Sequence, residues 1–257
     1  MMDRNEQLLS GFQYAMRIQN ALLPPNEALA EAIPEHFLIF KPKHMVSSDF
    51  YWFGETDAAY FLVVGDCAGH AVAGALMSII ASRLLNAIIL KNNIQKPVAI
   101  LEAMHEGLKD ILKLKYNEDA SIKIDLSICR LARHRRRVTF VGARRPLYWI
   151  QKRKNGLRSK SLKGDRYPVG GRNPAPPFTT HHLELEAGDM LYLTTDGYTL
   201  QKGKNGSKYG ILKLNKQLQA ISSLPVSQQK NHLIEAFNTH RGDEEQTDDI
   251  TFIGVQF

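Results

Sequence analysis

The sequence predicts an α+β fold in which mainly antiparallel sheets pack together with helix pairs outside. Three observations predict it. Apolar patterns follow the order helix, three strands, two helices, several strands, two helices, strand, and grouped strands do not build a doubly wound parallel sheet. Four aspartates, Asp49, Asp66, Asp196 and Asp248, each stand at an edge of an apolar, strand-like run. A chain of 257 residues with 44% hydrophobic and 23% charged residues carries enough apolar material for a large core.

The elements follow from local pattern. Gln7–Leu23 reads as an amphipathic helix, with Leu8, Phe12, Ala15, Met16 and Leu22 near helical spacing, and Pro24-Pro25 ends it. Short extended runs follow at His36–Lys41, Asp49–Phe53 and Tyr60–Gly65. Val72–Asn92 and Pro97–Lys115 read as helices, separated by Asn92-Asn93, with Pro97 suited to a first turn. Leu126–Leu131, Val138–Val141 and Leu147–Gln151 are short and β-rich. A Gly- and Pro-rich loop spans 164–177, and His181–Leu185 with Met190–Thr194 forms a hairpin across Ala187-Gly188-Asp189. Gly210–Ala220 and Val226–Thr239 read as helices, and Asp249–Phe257 as a final strand.

Charge and cysteine usage narrow the function classes. The net charge of +7 favours an anionic partner. The only cysteines, Cys67 and Cys129, sit in or beside apolar runs, as small buried hydrophobes do, so a reducing, cytoplasmic setting is expected. The N-terminal residues lack a signal-peptide pattern, and the apolar stretch Ala75–Leu90 is interrupted by Arg83 and Asn86, so no membrane span is expected.

The aspartates carry the chemical argument. Carboxylates at strand ends can converge in space, and an oxygen-only donor set suits Mg²⁺ or Mn²⁺ better than zinc. A single Asp-Gly pair such as Asp196-Gly197 is an ordinary turn signal, so the joint pattern is what points to a site. Cys129 is followed by no phosphate-cradling loop, which argues against a cysteine phosphatase.

Several segments together resemble one family. Arg17–Pro24 looks like a linker helix entering a domain. Lys41-Pro42-Lys43 with Val46-Ser47-Ser48-Asp49-Phe50-Tyr51-Trp52 looks like a first metal motif, and Gly65-Asp66-Cys67-Ala68-Gly69-His70 like a second. Gly142-Ala143-Arg144-Arg145-Pro146-Leu147-Tyr148 fits a central strand pair. Thr195-Asp196-Gly197-Tyr198 and Thr247-Asp248-Asp249-Ile250-Thr251 complete the set. In this order and spacing the chain resembles the SpoIIE-like branch of the PPM-type, metal-dependent serine/threonine protein phosphatases, related in fold to protein phosphatase 2C.

The resemblance implies an αββα four-layer sandwich over residues 26–257, preceded by a linker helix over 1–25. It implies two ions, Mn²⁺ or Mg²⁺, with Asp66 bridging both, Asp49 and the backbone carbonyl of Cys67 serving one, and Asp196 and Asp248 completing the centre. Asp249 is expected to orient its neighbour. Lys41, Lys43 and Arg144 are candidates for holding the substrate phosphate, from motif proximity, although each taken singly reads as a solvated surface charge. His70 fits a helix cap or turn better than a general acid, and His44 reads as a surface residue. The implied reaction is hydrolysis of phosphoserine or phosphothreonine on a regulatory protein, an anti-anti-sigma-like component of bacterial partner-switching signalling. An upstream sensor or receiver module is the implied partner of the linker. Leu8, Ala15 and Leu22 at heptad spacing fit a homodimer, and packing on the chain's own domain equally.

Some positions depart from the family. Ser48 stands where Gly usually precedes the Asp, Ala71 follows His70 in place of Gly, and Ala73 stands where Pro is frequent. Ser121-Ile122-Lys123-Ile124 lacks the usual acidic residue and Gly, and Thr199-Leu200-Gln201-Lys202 is less acidic than usual. A catalytically weakened pseudophosphatase that binds partners is the alternative reading. A nucleic-acid reading rests on the basic stretch Arg133, Arg135, Arg136, Arg137, Arg144, Arg145, Lys152, Arg153, Lys154, Arg158, Lys160 and Lys163. Without a recognised nucleic-acid fold or aromatic stacking residues it ranks last.

Overall fold

In the computed structural model, the described residues are 4–69, 71–113, 122–133, 136–171, 175 and 177–257. His70, Ser121 and Arg135, singled out above, lie outside them, as do part of the Gly- and Pro-rich loop and the end of the helix expected to reach Lys115.

Two antiparallel sheets form the centre. One has five strands: β1 (His36–Lys41), β6 (Leu147–Arg153), β7 (Gly156–Leu162), β10 (Met190–Thr194) and β11 (Ile250–Gln256), in the order β1-β11-β10-β6-β7. The other joins β2 (Asp49–Glu55), β3 (Ala59–Cys67), β4 (Lys123–Ala132), β5 (Arg137–Ala143) and β9 (His181–Glu184) in that order, with the short β8 (Val169–Gly170) paired to β4.

Both faces of each sheet are covered, which explains the near-continuous apolar runs. In β3, Leu62 and Val64 face the other sheet, while Phe61 and Val63 face helices. Between the sheets, Leu62, Val64, Cys129 and Phe140 meet Leu147, Leu191, Leu193 and Ile253. Outside β2–β5 lie α3 (Val72–Leu85) and α4 (Pro97–Ile111), which pack Met77, Leu85, Leu101, Met104 and Leu108 on Phe50, Trp52 and Phe61. Outside the five-stranded sheet lie α6 (Ile211–Ile221) and α7 (Val226–Arg241), whose Leu214, Leu218, Leu233 and Phe237 cover Phe37, Tyr192 and Phe252. The result is the expected four-layer αββα sandwich.

Helix α3 continues as a π-helical stretch, Asn86–Lys91, and Trp52 Nε1 donates to Asn86 Oδ1 there at 2.9 Å. The combined Val72–Lys91 helix is long and apolar enough by length and composition to cross a membrane, in contrast to the shorter run read from sequence. Here its apolar face packs on the sheet.

Other elements depart from the sequence reading. A short α2 (Asn26–Ala32) starts directly after Pro24-Pro25 and buries Leu29 and Ala32. Strand β7 has no apolar face to reveal it; it is an exposed edge whose Lys160 ammonium sits 5.2 Å from the Trp149 ring centre. Charged edges of this kind resist unwanted pairing. The basic stretch is dispersed by pairing: Arg133 meets Glu55 at 2.7 Å, Arg137 meets Glu184 at 3.7 Å, and Arg153 meets the buried Asp189 at 2.8 Å. Asp189 also accepts from Trp149 Nε1 and from the amides of Lys152 and Glu186, which fixes the β9–β10 connection. The hairpin expected there does not form: β9 pairs with β5 in one sheet and β10 with β6 and β11 in the other, so the turn at Ala187-Gly188-Asp189 crosses between the sheets.

Helix α1 (Arg4–Leu22) lies on the domain through one side. Phe12, Ala15, Met16 and Leu22 are half-buried, whereas Leu8, Leu9, Tyr14 and Ile18 are exposed. Gln19 is buried; its Nε2 donates to Ser47 O at 2.7 Å and to Ser78 Oγ at 2.9 Å, and its Oε1 accepts from the Ser47 amide at 2.9 Å. The helix is thereby tied to the residues just before Asp49.

Candidate metal centre

The pairing of β2, β3 and β4 sets three carboxylates side by side. Asp49 is opposite Asp66, and Asp66 is opposite Asp125, so all three fall on one face in a lateral row. Like charges in directly opposed positions destabilise a sheet. A row of them needs a compensating positive charge.

The second sheet brings the rest. Strand β10 ends at Thr194, and Asp196 precedes the short α5 (Gly197–Leu200); Asp248 and Asp249 precede β11. Gly197 is required by packing, since a Cβ there would stand 1.9 Å from the Asp249 carbonyl oxygen. Thr195 stitches the two sheets. Its hydroxyl donates to Asp49 Oδ2 at 2.6 Å and accepts from the Thr251 amide at 3.0 Å.

Asp249 orients the loop before β2. It accepts from the Lys43 amide at 2.7 Å, and from the Ser48 amide and hydroxyl at 2.7 and 2.8 Å. Its own amide donates to Asp248 Oδ1 at 2.9 Å, which steadies the neighbouring carboxylate. The serine that replaces a customary glycine is thus accommodated by a bond of its own. Its Cβ also has room because residue 74 is Gly, where a Cβ would lie 2.5 Å from it.

One buried cation stands among these acids. Arg145, 6% exposed, places Nη2 2.6 Å from Asp66 Oδ2 and 3.4 Å from Asp125 Oδ2, and Nη1 2.8 Å from Asp196 Oδ2. Close backbone packing fixes its position: a Cβ on Gly142 or Gly164 would lie 2.2 or 2.6 Å from the Arg145 carbonyl oxygen. Arg144, exposed and at φ 63°, reaches Asp125 Oδ2 at 3.5 Å through Nε.

The electrostatics show that one arginine does not neutralise the cluster. Burial raises the Asp66 carboxyl; Arg145 pulls it down, and Asp196, Asp248 and Asp125 push it up, leaving it at about 7. Asp49 is raised well above the carboxylate range, by burial and then by Asp66, against the Thr195 hydroxyl bond. Burial also raises Asp125 and Asp248. Burial opposes the Arg145 charge, yet Asp196, Asp66 and Asp125 more than offset it and raise its pKa. The missing charge is positive and the donors are oxygens, which fits hard divalent cations. Among the described residues, no three Asp, Glu, His or Cys side chains close on one point as in a loaded metal site.

Asp49, Asp66, Asp196 and Asp248 are therefore electrostatic neighbours. Cys67 ends β3 with its side chain buried in the core and its amide bonded to Ser48 O at 3.1 Å, so only its carbonyl suits the role expected of it. Lys43 is exposed, and its charge opposes the rise at Asp248. Lys41 is a correction. Its ammonium lies 5.2 Å from the Phe237 ring centre, on the α7 side, and burial with Arg241 nearby lowers its pKa. It faces the outer helix layer because β1 side chains alternate between faces. His44 is exposed, as expected.

Asp125, Arg145 and Thr195 are site residues that the sequence reading misses. Asp125 precedes an apolar run just as Asp49 and Asp248 do, so the strand-edge criterion could have found it. Nothing local distinguishes Arg145 from the basic residues around it.

Comparison with known proteins places the fold. The family model for stage II sporulation protein E (SpoIIE) matches residues 56–257. A search of curated proteins found no match. Among solved structures, the SiaA-PP2C domain of Pseudomonas aeruginosa is 28% identical, with a TM-score of 0.88 and full coverage of both chains. The PP2C phosphatase domain of SpoIIE from Bacillus subtilis, solved with a fragment of its regulatory domain, is 20% identical with a TM-score of 0.65, covering 87% of this chain and 63% of that one. The RsbU and RsbW domains of Rv1364c from Mycobacterium tuberculosis give 18% identity and a TM-score of 0.67, covering 87% and 60%. The chain belongs to the SpoIIE family and is a PP2C-type protein serine/threonine phosphatase domain.

Proposed function

We propose that the protein hydrolyses phosphoserine or phosphothreonine on a regulatory protein, in a reaction that depends on Mn²⁺ or Mg²⁺. The observation that carries this is the gathering of strand-edge aspartates from both sheets around one buried cation. Asp49, Asp66, Asp196, Asp248 and the Cys67 carbonyl would hold the metal, with Asp66 central. Divalent ions bound there would supply an activated water and a clamp on phosphoryl oxygens.

The chain's own residues do the rest. Asp66 must be deprotonated to accept a cation, and crowding by Asp196, Asp248 and Asp125 makes a second positive charge favourable there. Asp249 and Thr195 hold the two sheet edges in register at the site. Lys43 and Arg144 lie at its rim, where a cation draws in an anionic phosphoryl group. The Cys129 thiol is fully buried, which leaves it no nucleophilic part.

A partner-switching setting is supported by the RsbU and RsbW domains among the structural neighbours and by a neighbour described as part of the bacterial stressosome. In this reading residues 1–25 are a linker to a sensor or receiver module, residues 26–257 the phosphatase domain, and the setting cytoplasmic. The exposed Leu8, Leu9, Tyr14 and Ile18 on α1 suit pairing with a second copy.

The test is Mn²⁺-dependent hydrolysis of p-nitrophenyl phosphate and of a phosphoserine protein. Asp66→Asn and Asp196→Asn should lose at least about 100-fold in rate, with the fold retained. A folded wild type that binds Mn²⁺ without turnover would instead support the pseudophosphatase.

A further inference from the structure

A guanidinium cannot lose its proton in a protein, so Arg145 is a permanent charge. It sits in the middle of the acidic row, with one nitrogen on Asp66 and the other on Asp196, and both contacts are within charge-assisted hydrogen-bond distance. It reaches across the sheets, because Asp66 belongs to β3 and Asp196 follows β10. Its Nε is buried with no hydrogen-bond partner among the described residues, so the side chain is held by the carboxylates and by its backbone rather than by a complete set of bonds.

We propose that Arg145 is a resident counter-cation of the centre: it holds Asp66 and Asp196 in the metal-free protein and competes with the divalent ion for them. The inference rests on the reading of this cluster as a metal site. Its physical basis is simple. Each oxygen bonded to Arg145 is less available to another cation, and a fixed positive charge a few ångströms away repels an incoming one. The same charge spares the metal-free protein from a row of opposed, unpaired carboxylates. Arg145 is therefore a positioning residue that sets how much divalent ion is needed to load the centre. Arg144 differs: it is exposed and pairs with Asp125, at 3.5 Å.

Free Mn²⁺ can be counted by electron paramagnetic resonance during titration of the full chain, with melting temperatures taken in EDTA and in Mn²⁺. R145Q removes the charge and keeps hydrogen-bond donors. It should bind Mn²⁺ at least about tenfold more tightly than wild type, melt lower in EDTA, and gain more from Mn²⁺. R144Q should shift binding less than about threefold, because solvent screens an exposed charge. If R145Q does not fold in EDTA, R145K carries the test: it keeps the charge but cannot bridge two carboxylates, and should bind more tightly than wild type. Binding by R145Q, or by R145K where it is used, that equals or falls below wild type overturns the proposal while leaving the metal site in place. Binding by R145Q where wild type takes up no ion supports it. No binding by any variant overturns both the proposal and the metal-site reading.

Discussion

Asp249 takes the backbone amide and the hydroxyl of Ser48 on a single carboxylate oxygen, at 2.7 and 2.8 Å, across 201 residues of sequence. Its other oxygen takes the Lys43 amide. Asp249→Ala strips the acceptor from buried donors, and a hydrogen bond to a charged group contributes ~1.5–3 kcal/mol. We expect a loss of about 3 kcal/mol for Asp249→Ala and about 1 kcal/mol for Ser48→Ala, read from urea denaturation.

Ala71 stands at φ 53°, ψ −121°, a conformation that glycine adopts without steric cost. Such strain costs on the order of 1–3 kcal/mol, and glycine gives back part of the gain through unfolded-chain entropy. Ala71→Gly should therefore stabilise the protein by about 1 kcal/mol, or raise its melting temperature by ~2–4 °C. A lower melting temperature would contradict this account.

Asp66 gives a pH signature. Its folded-state value, about 7, lies above the ordinary 3.8, so the folded protein binds the extra proton between those values. The contribution of this group to metal-free stability is largest below about pH 4 and is lost as pH rises through 7, by on the order of a few kcal/mol. Melting curves in EDTA should show Asp66→Asn removing that slope. Mn²⁺ binding has the opposite sense. It displaces the proton, so affinity should weaken from pH 8 to pH 5, with proton release measured by calorimetry in buffers of different ionisation heat.

Gln19 links α1 to the loop before Asp49 through both ends of its amide. Gln19→Ala takes a partner from the Ser47 amide and carbonyl in a buried place, at a cost of about 2 kcal/mol. The prediction is a matching drop in urea stability together with weaker Mn²⁺ binding. Unchanged metal affinity would show that the helix supports the fold without touching the centre.

The layers are legible in the sequence because their signals are local. Runs such as Tyr60–Gly65 and Met190–Thr194 are apolar on both faces, and the structure buries both faces. The four aspartates are legible from their place at strand edges. Strand β7 is not, because an exposed edge needs no apolar alternation. Arg145 is not, because its role arises from a backbone turn packed against Gly142 and Gly164 and from partners far along the chain on either side, Asp66 and Asp196. Motif proximity misplaces Lys41, since nearness along the chain does not say toward which face a strand residue points.

The alignment of Asp49, Asp66 and Asp125 across three neighbouring strands has a consequence for folding itself. Slipping β3 by a single residue would turn Asp66 toward the α3 and α4 layer, away from Asp196 and Asp248. Cation uptake would then fail even in a molecule with native secondary structure. A metal titration thus doubles as an assay of whether the strands have zipped up correctly.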